Sequence, residues 1–220
     1  MARIGLLGGS FNPAHGAHRR ISLEAMRDLG LDEVWWLVSP GNPLKDGAKD
    51  MAPLEARLEA ARRTAKRSKI RVSDFESYTG TRYTVDTVRE LKWQYPAHRF
   101  IWLLGSDTLP NFHKWRDWRG LVREVPIAVI RRPGYDSAAH AARAMGWLRG
   151  FVHPSSQAKQ WTKWSAPAIL FLRLPPDPTS ATAIRAQDPH WYRRSRDRAQ
   201  RVPRLGMPLF ARRPLDRTSR

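Results

Sequence analysis

Short apolar runs alternate with amphipathic stretches along most of this chain. Residues 4–7, 34–38, 70–72, 100–104, 127–130 and 169–172 are runs of strand length, rich in Ile, Val, Leu and Trp. Between them, residues 15–29, 54–65, 85–95 and 138–148 carry apolar positions at helical spacing. This strand–helix–strand alternation predicts an α/β fold, doubly wound, with a mostly parallel sheet and helices on both faces. Such sheets take ligands outside the carboxyl ends of their strands, so the residues just after Leu7, Val38 and Leu104 are the first candidates for chemistry. No internal repeat is visible. Residues 151–167 mix Lys, Gln, Ser and Pro with two Trp and read as a long surface loop. The expected organisation is one domain over 1–200 followed by a basic tail over 201–220.

Composition narrows the class. The chain has 220 residues, 41% of them hydrophobic, enough for one well-buried core. No apolar run approaches the roughly 18 residues needed to span a bilayer. The first residues lead directly into a strand with no secretory pattern, so a soluble, cytoplasmic protein without membrane partners is expected. Cysteine is absent, which removes disulfides, thiolate metal sites and a cysteine nucleophile. The net charge of +19 makes the surface attractive to phosphate-bearing partners. Ten arginines fall within 193–220 against only Asp197 and Asp216. A nucleic-acid contact by this tail is the sharper reading and a solvated basic tail the favoured one, since no nucleic-acid module is evident there.

The strongest chemical signal is Gly8-Gly9-Ser10-Phe11-Asn12-Pro13-Ala14-His15-Gly16-Ala17-His18, between the first strand and the first helix. Glycines after a strand let the backbone approach a phosphate, and the following helix offers N–H donors and the positive end of its dipole. His15 and His18, three apart, share one helix face and can reach one ligand. The alternatives are a zinc pair, which lacks further ligands nearby, and histidines that cap the helix. This segment resembles the [S/T]-F-D-P-x-H-x-G-H signature of the nucleotidyltransferase superfamily, with Asn12 where Asp is common and Ala17 where a glycine usually precedes the second histidine. The resemblance implies a Rossmann-like fold, transfer of AMP or CMP from a nucleoside triphosphate, ATP contacts at Gly8, Gly9, Ser10 and Phe11, and transition-state stabilisation by His15 and His18.

Further motifs point the same way. Lys45 follows the second strand in Asn42-Pro43-Leu44-Lys45, similar to a superfamily segment whose lysine binds phosphate; read alone, it is an ordinary solvated lysine. Gly105-Ser106-Asp107 follows the strand at 100–104, where Asp107 could hold ribose hydroxyls or cap a helix. The run continues through Leu109 and Phe112 to Trp115, and this resembles the nicotinate-nucleotide adenylyltransferase branch. That branch also resembles the chain at Tyr83-Thr84-Val85-Asp86-Thr87 and at Arg132-Pro133-Gly134. It implies that Thr84 and Trp115, with Lys45, bind nicotinate mononucleotide. A tryptophan can stack on the pyridinium ring and a threonine can meet its carboxylate. Thr179-Ser180-Ala181-Thr182-Ala183-Ile184-Arg185 resembles an I-S-S-T-x-I-R signature, so Ser180 and Thr182 are expected at ATP and Arg185 at its β,γ-phosphates.

The implied partners are ATP, arriving with Mg²⁺, and nicotinate mononucleotide, with no resident metal site. Rival acceptors within the superfamily are nicotinamide mononucleotide, phosphopantetheine and alcohol phosphates. A rival from another class is a basic nucleic-acid-binding protein on a degenerate scaffold, against which His15, His18, Lys45 and Arg185 all stand intact. The oligomeric state is not legible in the sequence.

Overall fold

The computed structural model describes residues 1–41, 51–131, 136–173 and 179–193. Lys45, Arg132, Pro133 and Gly134 and the tail at 201–220 lie outside the described residues. Seven strands form one sheet: β1 (Arg3–Gly9), β2 (Glu33–Val38), β3 (Ile70–Ser73), β4 (Arg99–Gly105), β5 (Ile127–Ile130), β6 (Val152–His153) and β7 (Ile169–Leu172). Their order is β3-β2-β1-β4-β5-β7-β6, and every pairing is parallel. The expected mostly parallel sheet is therefore wholly parallel among the described residues.

Side-chain alternation along the strands divides the core in two. Ile4, Leu6, Trp35, Leu37, Trp102, Leu104 and Val129 face one layer. That layer is built from α4 (Thr84–Gln94), α5 (Leu109–Phe112), α6 (Trp118–Glu124) and α8 (Met145–Leu148), with α3 (Phe75–Thr79) and α7 (Asp136–His140) alongside. Leu7, Val34, Trp36, Val38, Ile101, Leu103 and Ile130 face the other, with α1 (Gly16–Leu29) and α2 (Leu54–Ala65). A last helix, α9 (Ala181–Gln187), follows β7. No helix among the described residues is long and apolar enough to cross a membrane.

Two expectations are corrected. Residues 151–167 are not a surface loop: they hold the edge strand β6 and a 3-10 helix at Ser155–Lys163. Ala158 and Trp161, spaced for a three-residue turn, are buried against the α1 layer, and the Trp161 indole donates to the Leu29 carbonyl at 3.1 Å. Of the segment only Ala158 and Trp161 are buried, with Phe151 and Trp164 packed partly against the core, and the polar residues between them read as loop. The single helix expected at 138–148 is broken into α7 and α8. Ala139, Ala142, Ala144, Met145 and Leu148 are all buried. At roughly 100° per residue one continuous helix would fan them over more than half its circumference, which a single contact face cannot cover.

β1 and β4 are neighbours, and the chain leaves them toward opposite sides of the sheet, β1 toward β2 and β4 toward β5. This is the switch point at which open parallel sheets form their crevice. The loop after β1 and the turn after β4 both lie there.

Candidate functional site

The loop after β1 is held from several directions. Phe11 has φ +47°, a conformation that costs a non-glycine residue on the order of 1 kcal/mol. Its ring is 2% exposed, stacked on Trp36 at 5.0 Å and tilted against His18 at 4.9 Å, and this burial offsets the strain. Gly8 has a packing reason as well as the expected phosphate one: a Cβ there would stand 2.6 Å from the Trp102 ring. Gly9 meets only the Phe11 ring, at ordinary contact distance.

His15 is the N-cap of α1 and His18 its third residue. The His15 backbone N–H donates to His18 Nδ1 at 3.3 Å, and the two rings lie 3.9 Å apart. The capping alternative is thus part of the geometry. It also orients the chemistry: with Nδ1 accepting, the proton of the neutral ring sits on Nε2 as a donor. The first turn is braced from β2, where the Trp36 indole donates to Ser22 Oγ and Ser22 donates to the His18 carbonyl, each at 2.8 Å.

Arg185, 173 positions from Asn12 in sequence, donates from Nη1 to the Asn12 carbonyl at 2.8 Å. Three of the four residues expected to carry the chemistry, His15, His18 and Arg185, therefore belong to one loop assembly at the switch point. The fourth, Lys45, lies outside the described residues. Ser180 caps α9, its hydroxyl accepting from the Ala183 N–H at 3.1 Å, while Thr182 is exposed. Asp107 is half-buried and does not cap α5, whose N-cap is Thr108. Ser106 is fully buried, its N–H continuing the sheet to the Ile130 carbonyl.

The sequence pattern does not single out Arg57, on α2. It is 1% exposed, and its guanidinium donates to the carbonyls of Ala52 (2.8 Å), Ser10 (2.8 Å), Ser39 (2.7 Å) and Pro40 (3.2 Å). One side chain thus ties the loop after β1 to the end of β2 and to the start of α2. Asn12 adds to the clamp, its Oδ1 accepting from the Ala52 N–H at 3.2 Å. Burial lowers the Arg57 pKa, and the bonds offset that loss of hydration. Arg57→Met leaves four carbonyls without their donor and should cost about 3 kcal/mol or more in urea denaturation. A loss below about 1 kcal/mol would show that water replaces the guanidinium. No local pattern marks this residue, which reads as one more arginine in a basic helix.

The two residues expected at the acceptor come together through their neighbours. Thr84 is the first residue of α4 and half-buried. Trp115 is half-buried, with its ring edge-to-face against Phe112 at 5.3 Å and Trp102 at 6.5 Å. Arg116, next to Trp115, places its guanidinium 4.5 Å from the centroid of Tyr83, next to Thr84. α4 is stapled to the α6 side by Arg89 on Asp117 (3.1 Å) and Glu124 (3.0 Å), and by Lys92 on Glu124 (2.7 Å). The Lys92 ammonium, with Arg89, holds the Glu124 carboxyl below its ordinary value.

A cavity of about 390 Å³ opens beside this site, lined by Pro40, Gly41, Glu76, Ser77, Gly80, Thr81 and Arg82. Glu76 is buried, accepting from the Thr87 hydroxyl at 3.3 Å, and burial raises its pKa from 4.5 to about 7. A raised acid pKa means that the folded chain holds the proton more tightly than the unfolded one. The associated stability is complete below about pH 4.5 and lost as pH rises through about 7. Glu76→Gln removes the charge and retains an acceptor for Thr87. It should stabilise the protein at pH 8 by up to about 3 kcal/mol and very little at pH 4.5, as thermal melts at the two pH values would read. Equal shifts at both would show that the carboxyl is not protonated in the fold.

A wholly parallel sheet with the order β3-β2-β1-β4-β5 and a glycine- and histidine-bearing loop at its switch point defines an α/β domain of the cytidylyltransferase-like class. A family model of that description, cytidylyltransferase-like, matches residues 6–187. A protein of Erythrobacter litoralis named "Probable nicotinate-nucleotide adenylyltransferase" is 56% identical over 194 residues, 88% of each chain. One of the same name from Methylorubrum extorquens is 45% identical over 185 residues, 84% of this chain and all of the relative. The chain belongs to the nicotinate-nucleotide adenylyltransferase family of these cytidylyltransferase-like proteins. The fold is shared with Plasmodium falciparum nicotinic acid mononucleotide adenylyltransferase complexed with NaAD, at TM-score 0.63 and 19% identity over 84% of this chain and 83% of that one.

Proposed function

We infer that this chain transfers AMP from ATP to nicotinate mononucleotide, giving nicotinate adenine dinucleotide and pyrophosphate, a step of NAD biosynthesis. Family membership supports the reaction. The observation that carries the site assignment is the Arg185–Asn12 bond, which brings a cation from the last helix onto the histidine loop.

In the reaction, a phosphate oxygen of nicotinate mononucleotide forms a bond to the ATP α-phosphorus. The bond from that phosphorus to the α,β-bridging oxygen breaks, and pyrophosphate leaves with the electron pair. The attacking phosphate is already anionic, so no protein nucleophile is required and catalysis rests on positioning and charge stabilisation. His18, with its donor on Nε2, and His15 meet the phosphates at the loop. Arg185 and Lys45 balance the charge of the leaving pyrophosphate. Gly8, Gly9 and Ser10 bring backbone to the nucleotide, Phe11 fixes the loop, and Gly105 and Asp107 face the ribose across the switch point. Ser180 and Thr182 complete the triphosphate end, while Thr84 and Trp115 take the pyridine ring. ATP enters as its Mg²⁺ complex. That Mg²⁺ would be held mainly by phosphate oxygens and would neutralise part of their charge.

Pyrophosphate release from ATP, assayed with each candidate acceptor in turn, tests this reading. Release with nicotinate mononucleotide is expected, and its absence overturns the proposal.

A further inference from the structure

The acid and amide forms of the mononucleotide differ at one group, so the acceptor site must hold something that reads a carboxylate. Thr84 and Trp115 are uncharged and do not by themselves read its negative charge. The structure puts a cation beside them. The Arg116 guanidinium rests on the Tyr83 ring, 4.5 Å from its centroid, so the residue after Trp115 touches the residue before Thr84. The nearest carboxylates in sequence are already engaged. Asp117 binds Arg89 and accepts the Gly120 N–H at 3.0 Å, Asp86 lies 3.9 Å from Arg89, and Glu124 is shared between Arg89 and Lys92. Arg116 forms no ion pair among the described residues and is exposed. A guanidinium held over an aromatic face by its charge does not spend its N–H donors on that contact and keeps them for a further acceptor.

We propose that Arg116 is a specificity-determining residue of the acceptor site, its guanidinium pairing with the ring carboxylate of nicotinate mononucleotide while Trp115 stacks on the ring. The proposal rests on the adenylyltransferase reading above and names the group that makes it selective. A carboxylate offers two acceptor oxygens and a full negative charge to the fork. A carboxamide offers one acceptor and turns its NH₂ toward a cation that can only donate. Tyr83 is the platform that fixes where the guanidinium waits, which lowers the ordering cost of the contact.

The experiment compares Arg116→Met, Arg116→Lys and wild type for kcat and KM with nicotinate and nicotinamide mononucleotides at one saturating ATP concentration. Arg116→Met should raise KM for the acid tenfold or more, leave kcat nearly unchanged, and leave the amide constants within about twofold. Arg116→Lys, which keeps the charge without the fork, should fall between. The acid preference of wild type should weaken with added salt, and that of Arg116→Met should not. Because Arg116 is exposed, thermal melts of all three proteins should coincide. An unchanged ratio of acid to amide kcat/KM in Arg116→Met overturns the assignment while leaving the adenylyltransferase reading intact. A wild type with no turnover on the acid defeats that reading instead, so the two failures are distinguishable.

Discussion

His18→Ala is expected to lower kcat by about 10²-fold or more while leaving the fold intact, the signature of a donor that acts mainly in the transition state. The geometry gives the reason. His18 Nδ1 is occupied by the His15 backbone N–H, which leaves Nε2 to carry the ring proton at the head of α1. The ring is half-buried among His15, Phe11 and Trp36, so truncation removes packing as well as a donor. That packing loss is of order 1–2 kcal/mol and should move the melting midpoint by only a few degrees. His18→Gln, which retains an N–H at similar reach, should recover part of the lost turnover. His15→Ala should lower turnover like His18→Ala, and it also removes a side chain that takes part in the capping box at the start of α1. A well-folded double variant with near-normal turnover would remove these histidines from the phosphate site.

The second large effect is acceptor choice. Nicotinate and nicotinamide mononucleotides share ribose, phosphate and ring, so any difference in kcat/KM reports the group at the ring edge alone. A site that offers donors to two carboxylate oxygens leaves an amide NH₂ facing a donor. Such a mismatch costs several kcal/mol, or roughly 10³-fold in kcat/KM. We expect a preference of that order for the acid, with the stacking of Trp115 common to both substrates. The surplus charge of +19 speeds the arrival of either anionic nucleotide and separates them weakly. Equal kcat/KM values at one ATP concentration, or a preference for the amide, would overturn the acceptor assignment and leave family membership standing without it.

Much of the architecture is legible in the sequence. The strand runs at 4–7, 34–38, 100–104, 127–130 and 169–172 all fall within observed strands, and the histidine loop sits where the alternation places it. The helix at 54–65 is observed with those bounds. These features are local: hydrophobic periodicity and turn chemistry are written within a few residues, and a parallel sheet with crossover helices follows from their order. Sequence and structure part where few side chains carry the packing, as at Trp161, or where the buried set is too wide for one helix, as at 139–148.

The chain's sequence by itself determined the fold class, the crevice at the ends of β1 and β4, and the identity of the groups expected to meet phosphate. Only the tertiary structure decided how those groups are held: Arg57 across three chain segments, Arg185 on Asn12 from 173 residues away, and Arg116 on Tyr83. Each of these is a long guanidinium side chain reaching carbonyls or rings on other elements. Its partners depend on how crossovers bring distant loops together, and one arginine among many basic residues carries no local mark of which carbonyl or ring it will meet.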